Sequence, residues 1–394
     1  MQLPSRIGLP LGALRLALAA LGLTALLAAC GTSGGGGGML PPIAGGGGAV
    51  KVALLLPITG SGNTPAVAKA LKQAAELALF DFDNPNVTLV PKDTRGSPDG
   101  ARAAAESAVQ EGAELIIGPL FAAEVSAAAP VARNANIPMI ALSSDQNVAG
   151  NGVYLLSFLA GRDVPRIVSY AMAKGKRSFA VLVPQTAYGR LAEESFAKSV
   201  ARNGGTASVR ATFPANDAAA LAVPVRQVGD AIKSGQRVDA LFLPASPEDL
   251  QALGPLLSSS GIAGRVQMIG TGQWDYPGIG RESALVGGWY AAPDPRGWTN
   301  FTANYAKTYG STPPRIASLG YDAVSLAVTL SQNPPGQRYT PSQLTRASGF
   351  SGVDGLFRLL PDGTSERGLA ILEVGANGPR VLEPAPSSFS SAQY

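Results

Sequence analysis

The 394-residue sequence contains no histidine and a single cysteine, Cys30. The missing histidine excludes Ser-His-Asp triads, histidine metal sites and the commonest general base of enzymes. A lone cysteine excludes disulfides within the chain and Cys-x-x-Cys redox chemistry. Only carboxylate or serine–lysine catalysis is left, and no residue spacing supports either. We therefore expect a non-catalytic protein with no metal site and no cofactor.

Charged residues are also scarce, at 15% of the chain, and the net charge is +4. No stretch of Lys and Arg is dense enough for a nucleic-acid surface, so no nucleic-acid partner is expected. Hydrophobic residues reach 46%, which predicts a globular body rather than disorder. The length suits two domains after removal of any leader.

The N-terminus has the pattern of an export signal. Arg6 and Arg15 precede an apolar run, residues 16–29, that is too short for a comfortable membrane span. The run ends in Leu27-Ala28-Ala29-Cys30, which resembles the lipobox of bacterial lipoproteins. This predicts a signal peptide over residues 1–29 and an acylated (palmitate-type) Cys30 that anchors the protein to a membrane. The alternative is a plain secretory signal with a stray cysteine.

The residues after Cys30 predict where the anchor is and how the body is attached to it. Gly31 stands where an Asp would act as the inner-membrane retention signal of enteric bacteria. We therefore expect the periplasmic side of the outer membrane, with the inner membrane as the alternative. Two glycine runs within residues 30–48 predict a flexible tether.

The body is organised around residues 50–62, an apolar stretch of strand length that Pro57 and Gly60 close. Such a strand is buried on both faces of a parallel sheet, and ligands bind at the carboxyl edge of such sheets. Strand–loop–helix units repeat after it, and a second set begins at Ser178. The pattern predicts two tandem α/β lobes with doubly wound parallel sheets. One of the predicted helices begins at Asp163, which we expect to be its N-cap.

Four stretches of the body resemble the type I periplasmic binding proteins of the Leu/Ile/Val-binding branch. They are Leu56-Pro57-Ile58-Thr59-Gly60, Ile116-Ile117-Gly118-Pro119 with Ile137-Pro138-Met139-Ile140, Ala187-Tyr188-Gly189-Arg190, and Tyr321-Asp322-Ala323 with residues 350–357. No single stretch is specific, but their order and spacing together are. The resemblance covers about residues 50–383.

The resemblance implies a two-lobed α/β fold in which each lobe is a parallel sheet between helices and three hinge crossovers join the lobes. Each lobe is then discontinuous in sequence. We expect lobe 1 to comprise residues 49–158 and 287–334, and lobe 2 to comprise residues 159–286 and 335–384. Residues 385–394 are expected to be a flexible tail. A ligand would bind in the cleft between the lobes.

Amino-acid-binding members of this family hold the ligand carboxylate with hydroxyl and backbone N–H groups of the loops after the third and fourth strands. The first of these loops here reads Phe121-Ala122-Ala123, without hydroxyls. The second reads Ser143-Ser144-Asp145, and Asp145 would repel a carboxylate. The two serines are either ligand contacts or a helix-capping cluster. The amino-acid site is therefore only partly kept.

The other candidates follow strands at the same predicted edge. Trp274 and Asp275 suit a binding cleft, or belong to a loop that packs onto its lobe. Tyr188 is either a ligand contact or part of a turn facing the hinge. The complete set of predicted cleft residues is Ser61, Phe121, Ser143, Ser144, Asp145, Tyr188, Ser246, Trp274 and Asp275.

The resemblance offers two functions. Residues 241–256, beginning Leu-Phe-Leu-Pro-Ala-Ser-Pro-Glu, are similar to the penicillin-binding protein activator lipoproteins. This implies a partner that is a peptidoglycan synthase (a penicillin-binding protein) and a role in regulating peptidoglycan synthesis. However, the helical-repeat domain of the well-known activators is missing. The alternative is a substrate-binding lipoprotein that delivers an amino acid or amide-type solute, a small polar ligand, to an ABC permease.

Overall fold

The computed structural model describes residues 49–389. The predicted signal peptide, Cys30, the glycine-rich tether and residues 390–394 of the predicted tail lie outside the described residues. In the described part of the chain, none of the helices is long and apolar enough to span a bilayer.

Residues 49–389 contain ten α-helices and fifteen β-strands. The first segment comprises β1 (Val50–Leu56), α1 (Thr64–Phe80), β2 (Val87–Asp93), α2 (Pro98–Gln110), β3 (Leu115–Ile117), α3 (Ala122–Asn134), β4 (Met139–Ala141) and β5 (Val153–Leu155). The second comprises α4 (Val164–Ala173), β6 (Ser178–Pro184), α5 (Ala187–Arg202), β7 (Thr206–Phe213), α6 (Ala222–Lys233), β8 (Ala240–Phe242), α7 (Pro247–Ser259), β9 (Gln267–Gly270) and β10 (Trp289–Ala292). The third comprises α8 (Pro295–Tyr309), α9 (Ala317–Ser331), α10 (Pro341–Leu344), β11 (Phe350–Gly352), β12 (Gly355–Leu359), β13 (Ser365–Arg367), β14 (Ala370–Glu373) and β15 (Arg380–Glu383).

Sheet A has five parallel strands in the order β2-β1-β3-β4-β5. Successive residues of β1 point to opposite faces of the sheet. Leu54 and Leu56 pack with α1 and α9, whereas Ala53 and Leu55 pack with α2 and α3. Both faces of the sheet are thus covered by helices, which explains why β1 is an almost unbroken apolar run.

Sheet B has seven strands in the order β15-β14-β10-β9-β8-β6-β7. Helices α6 and α7 cover one face, and α4 and α5 cover the other. The strands β6 to β10 run parallel, but β14 and β15 pair antiparallel at one edge. Sheet B is therefore mixed rather than purely parallel, because the chain returns to it near the C-terminus through a short connection. The two-lobed α/β prediction is confirmed.

The chain passes between the two lobes three times within the described residues. Residues 156–163 lead from sheet A to α4, residues 293–294 lead from β10 to α8, and residues 368–369 lead from β13 to β14. Helix α8 packs on α1, and the small antiparallel sheet β11-β12-β13 contributes to the same core as sheet A. Lobe 1 thus contains residues 49–155 and 295–367.

This chain path differs from the predicted lobe boundaries in two segments. Strand β10 was expected in lobe 1 but pairs with β9 and β14 of sheet B. Residues 335–367 were expected in lobe 2, but Phe350, Phe357 and Leu359 are buried in the lobe 1 core. In both cases the sequence shows a strand or a turn, and only the pairing partner decides the lobe.

Helix starts follow local sequence closely. The hydroxyl of Ser97 accepts a hydrogen bond from Gly100 N at 3.1 Å, and that of Ser246 accepts one from Asp249 N at 3.2 Å. Each serine is followed by a proline in the first turn of the helix. Proline has no backbone N–H, but the N–H groups of the first turn have no partner within the helix, so no hydrogen bond is lost. These caps place the ends of β2 and β8 against helix N-termini at the carboxyl edges of the two sheets.

Candidate ligand-binding cleft

A cavity of about 310 Å³ lies between the lobes. All three crossovers line it, through Asp163, Pro293 and Leu369 among others. We call it the crossover cavity. Its volume lies at the lower end of the range of about 300–1,000 Å³ that is typical of small-molecule sites, so it suits a small ligand.

A shallower recess of about 780 Å³ adjoins the cavity on the lobe 1 side. Phe121 and residues 143–145 line it, at the ends of β3 and β4. We call it the strand-end recess. It shares Ser157, Phe158 and Arg315 with the crossover cavity, so the two form one continuous cleft.

The structure brings six of the nine predicted residues to this cleft. Tyr188 and Asp275 line the crossover cavity. The strand-end recess is lined by the other four, Phe121, Ser143, Ser144 and Asp145. The sequence therefore located the carboxyl edges of both sheets correctly, although whether these residues touch a ligand stays a prediction.

The remaining three predicted residues, Ser61, Ser246 and Trp274, line neither the cavity nor the recess. Ser61 is exposed in the loop between β1 and α1. Ser246 caps α7, and its hydroxyl also donates to Asp249 Oδ2 at 3.2 Å. The hydroxyl of Ser246 thus serves the local backbone, which is a usual role of serine at a helix start.

Trp274 belongs to the core of lobe 2 rather than to the cleft surface. Its side chain is 0% exposed, and its Nε1–H donates to the carbonyl of Leu243 at 2.9 Å. A Cβ atom at Gly270 would lie 2.1 Å from the indole ring, so only glycine leaves room for it at that position. Of the two interpretations of Trp274, the structure supports a loop that packs onto its lobe.

Asp163 is a cleft residue that stands at the N-cap position of α4, as predicted from the sequence. Its side chain makes no capping hydrogen bond to α4. Instead Oδ2 accepts a hydrogen bond from Gly272 N, 109 residues away in sequence, at 2.5 Å. Burial raises the pKa of the Asp163 carboxyl to about 6 against the lowering effect of this hydrogen bond.

Tyr188 lies beside Asp163 in the same wall. Its hydroxyl donates to Thr271 Oγ1 at 2.7 Å, and Thr271 is fully buried. Burial and the neighbouring Asp163 carboxylate raise the pKa of the Tyr188 hydroxyl, so the group stays neutral. The next residue, Gly189, approaches β6 so closely that a Cβ there would lie 2.0 Å from the Pro184 carbonyl oxygen. This close approach fixes the start of α5 and with it the position of Tyr188.

Arg315 precedes α9 in lobe 1 and reaches across the cleft toward lobe 2. Its guanidinium forms an ion pair with the buried Asp354, and its Nη2 lies 3.9 Å from Asp275 Oδ2. It also stacks on Trp298, with 4.5 Å between the guanidinium carbon and the ring centre. Burial raises the pKa of Asp275, and Arg315 opposes that rise. Arg315 is therefore a charged contact between the lobes.

A second arginine of the cavity, Arg367, forms an ion pair with a buried acid. Arg367 Nη1 lies 3.3 Å from Oδ2 of Asp322, a fully buried residue of α9. Asp322 Oδ1 accepts a hydrogen bond from Val353 N at 2.6 Å. Burial raises the pKa of the Asp322 carboxyl, and the nearby Arg367 opposes this. Asp322 thus positions Arg367 and the β11–β12 turn.

Three residues that line the crossover cavity each have a buried oxygen atom without a hydrogen-bond partner among residues 49–389. The atoms are Asp163 Oδ1, the Tyr276 hydroxyl and Ser365 Oγ. Leaving such a group unpaired costs about 1–3 kcal/mol, so native structures seldom contain several in one place. Their convergence on one cavity indicates a site that a polar ligand completes.

Most of the arginines and acids of this cavity were not predicted from the sequence. Arg162 and Asp163 lie in the first crossover, Ser365 and Arg367 lie in β13 beside the third, and Arg315 lies between α8 and α9. No local motif marks them, because the cavity forms only where distant segments meet. The three crossovers implied by the resemblance were the signal that pointed toward these segments. Among the described residues, no cluster of three or more potential metal ligands is found.

The sequence matches a family model described as periplasmic binding protein over residues 49–379. The chain belongs to the periplasmic binding protein family. The matched residues span both sheets and all three crossovers, so the cleft described above is the cleft of a periplasmic binding protein. No curated protein matches the sequence.

Solved structures with the same fold include several solute-binding proteins. A putative branched-chain amino acid ABC transporter protein from Rhodospirillum rubrum has a TM-score of 0.75 at 21% identity, over 85% of this chain and 100% of that one. A solute binding protein of an ABC transporter from Rhodopseudomonas palustris, in complex with 3,4-dihydroxybenzoic acid, has a TM-score of 0.59 at 22% identity, over 87% and 98% of the chains. A branched-chain amino acid transporter substrate binding protein from Streptococcus pneumoniae, in complex with isoleucine, has a TM-score of 0.55 at 17% identity, over 85% and 99%. At these identities the likeness shows the fold alone.

Proposed function

We propose that this periplasmic binding protein binds a small polar solute in the crossover cavity and delivers it to an ABC permease. The observation that carries the proposal is the set of unpartnered buried oxygens of Asp163, Tyr276 and Ser365 around one cavity between the lobes. The solved structures with this fold include ABC transporter solute-binding proteins with bound Leu and benzoate, which supports the same function. The proposed location is extracytoplasmic.

The proposal is tested by measuring the thermal stability of the full chain against a panel of amino acids, amides, amines, carboxylates and sugars. A ligand that binds only the folded state adds about 2.7 kcal/mol at a hundredfold excess over its Kd. We expect at least one solute to raise the melting temperature in a concentration-dependent way. If no solute in the panel does so, the transport function is contradicted.

A specific observation keeps activation of a penicillin-binding protein as a second candidate. The stretch 241–256 that is similar to the activator lipoproteins forms β8 and most of α7, and its Pro247 lines the crossover cavity. A partner that covers this edge would also cover the cavity. A pull-down of a solubilised peptidoglycan synthase with this protein tests the hypothesis. If the Pro247→Asp variant still recovers the synthase, contact at this edge is contradicted. If the wild type recovers no synthase, the proposed partner is contradicted.

We further propose that the protein is a non-catalytic lipoprotein anchored through Cys30. Periplasmic binding proteins are typically non-catalytic, which supports the first part, and the lipobox-like Leu27-Ala28-Ala29-Cys30 supports the second. Labelling of the wild type but not of Cys30→Ala with radioactive palmitate would test the anchor. Membrane fractionation would then separate the outer-membrane location from the inner-membrane alternative.

A further inference from the structure

Two acids of the cleft, Asp145 and Asp163, form no ion pair among the described residues. Four carboxylates line the cavity and the recess, those of Asp145, Asp163, Asp275 and Glu366, against the three guanidiniums of Arg162, Arg315 and Arg367. Each of the three guanidiniums already lies within 4 Å of a carboxylate. A ligand carboxylate would have to compete with these pairs, so the cleft is poorly prepared for an anion.

Asp145 is exposed to solvent, so Asp163 is the acid of the two that is shielded from water. Of the two oxygens of Asp163, Oδ2 is held by Gly272 N–H, whereas Oδ1 is buried with no partner among the described residues. No Lys or Arg of the described chain lies within ion-pair distance of it. A desolvated carboxylate oxygen without a partner favours a positively charged or strongly donating neighbour. Asp163 is one of the residues that line the cavity, so a ligand bound there is the available neighbour.

The strand-end recess gives a second, independent reason to exclude a ligand carboxylate. The hydroxyl of Ser143 accepts a hydrogen bond from Asp145 N at 3.2 Å, and Asp145 Oδ1 accepts one from Asn147 N at 3.0 Å. The exposed ring of Phe121 occupies the other loop. The recess thus presents an internal turn, an acid and an aromatic ring, and the acid would repel a ligand carboxylate.

We propose that the ligand of the crossover cavity is an organic cation, a small primary amine without a carboxylate group, whose ammonium binds Asp163 Oδ1. This inference rests on the proposed solute-binding function and specifies its substrate class. The hydroxyls of Tyr276 and Ser365 accept further N–H or O–H groups of the ligand, and Phe158 and Leu159 contribute apolar surface to the same cavity.

Matched probes separate an amine from an amino acid or an acid. Isoamylamine is leucine without its carboxylate, and 4-methylpentanoate is leucine without its amino group; benzylamine and benzoate form an aromatic pair. Isothermal titration of the full chain at pH 7.5 should show at least one amine binding tenfold or more tightly than leucine and than the matching carboxylate. Tighter binding of leucine, 4-methylpentanoate or benzoate would overturn the inference but leave the solute-binding function intact.

Asp163→Asn tests the proposed contact. The amide oxygen can still accept the Gly272 N–H, so the loop is kept while the charge is lost. We expect the affinity for the amine to fall at least tenfold. The matched control is Asp217→Asn, because Asp217 also accepts a backbone N–H, that of Ala220, and does not line the cleft. Equal affinities of the Asp163→Asn variant and the wild type would overturn the assignment.

The pH dependence adds a readout that a merely structural role would not change. The affinity for the amine should fall as the pH drops below about 6, because protonation removes the charge of Asp163. The ionisable groups around Asp163 are Tyr188, which stays neutral, the cation Arg162 and the acid Asp275. The pKa of Asp275 is also raised, so protonation of Asp275 at low pH would weaken amine binding too. In Asp163→Asn this fall should shrink. If neither isoamylamine nor benzylamine binds, the inference fails. If no solute of any class binds, the proposed function fails with it.

Discussion

The strand-end recess and the crossover cavity lie side by side in one cleft, but their polar side chains differ in hydrogen bonding. In the recess, Ser143 and Asp145 satisfy each other and the local turn. In the cavity, the oxygens of Asp163, Tyr276 and Ser365 are buried without partners. The polar groups of the recess form hydrogen bonds with neighbours in sequence and need no ligand. The three cavity residues come from distant segments, and each keeps an oxygen atom without a hydrogen-bond partner. The difference shows that the unpartnered polar groups of this cleft belong to segments that are distant from one another in sequence.

The largest effect is expected for the residue that supports the cavity from behind. Trp274→Ala removes a fully buried indole that packs against Gly270 and donates to the Leu243 carbonyl. We expect a loss of about 3–5 kcal/mol in the free energy of unfolding, measured by urea denaturation. Phe121→Ala, at 42% exposure in the recess, is the control and should cost under about 0.5 kcal/mol. A stable Trp274→Ala protein that only loses ligand would instead make Trp274 a cleft residue.

The second prediction concerns the arginine shared by both regions. Arg315→Met leaves the buried Asp354 without its ion pair and removes the contact to Asp275. Because the Arg315 side chain is 31% exposed, we expect a loss of about 1–3 kcal/mol, less than for a fully buried pair. Arg296→Met, which removes the ion pair of an exposed arginine with Asp294, is the control and should cost much less than Arg315→Met. Equal losses of unfolding free energy would show that the cavity has no special electrostatic role.

The third prediction follows from the raised pKa of Asp163. In the unfolded chain an aspartate titrates near 3.9, and in the folded protein Asp163 titrates at about 6. The folded state therefore binds the proton more tightly, and this group reduces stability as the pH rises from about 4 to 6. Asp163→Asn should be on the order of 1–2 kcal/mol more stable than the wild type at pH 7.5 and nearly equal at pH 4. A difference in unfolding free energy that does not change with pH would contradict the buried, unpaired carboxylate.

The smallest effect is expected in the strand-end recess. Ser144 is exposed, and no hydrogen bond of its side chain is found in the described structure. Ser144→Ala should change the free energy of unfolding by under about 0.5 kcal/mol and the affinity for a cavity ligand by less than about twofold, or about 0.4 kcal/mol. Calorimetric titration of this variant beside Asp163→Asn makes the comparison direct. A large loss of affinity in Ser144→Ala would move the binding site to the recess.

Several features of the fold were predictable because they depend on neighbours in sequence. The apolar run of β1 predicts a strand that is buried on both faces, and the structure confirms it. The Ser-Pro starts at Ser97 and Ser246 predict helix N-termini, and both serines cap as expected. The loops at the carboxyl edges of the sheets brought Tyr188 and Asp275 to the cleft. Each of these inferences needs only a short window of sequence.

The unpredicted features all depend on partners far along the chain. Asp163 looks like a helix cap in sequence, but its partner is Gly272. Trp274 looks like a cleft aromatic, but Gly270 leaves a space for it in the core. From the sequence, strand β10 is expected to begin the return to lobe 1, but its pairing with β14 places it in sheet B of lobe 2. A short window cannot distinguish these outcomes, because both alternatives satisfy the same local propensities.

The sequence by itself determined the α/β plan, the helix starts and the absence of histidine and cysteine chemistry from the body, since these depend on residue type, periodicity and order. Only the tertiary structure decided which segments exchange between the lobes and which polar groups meet in the cleft. The physical reason is that burial creates the site: a carboxylate such as Asp163 is an ordinary solvated group in the unfolded chain. Folding removes water from it and supplies no counterion, and the site proposed here depends on that change.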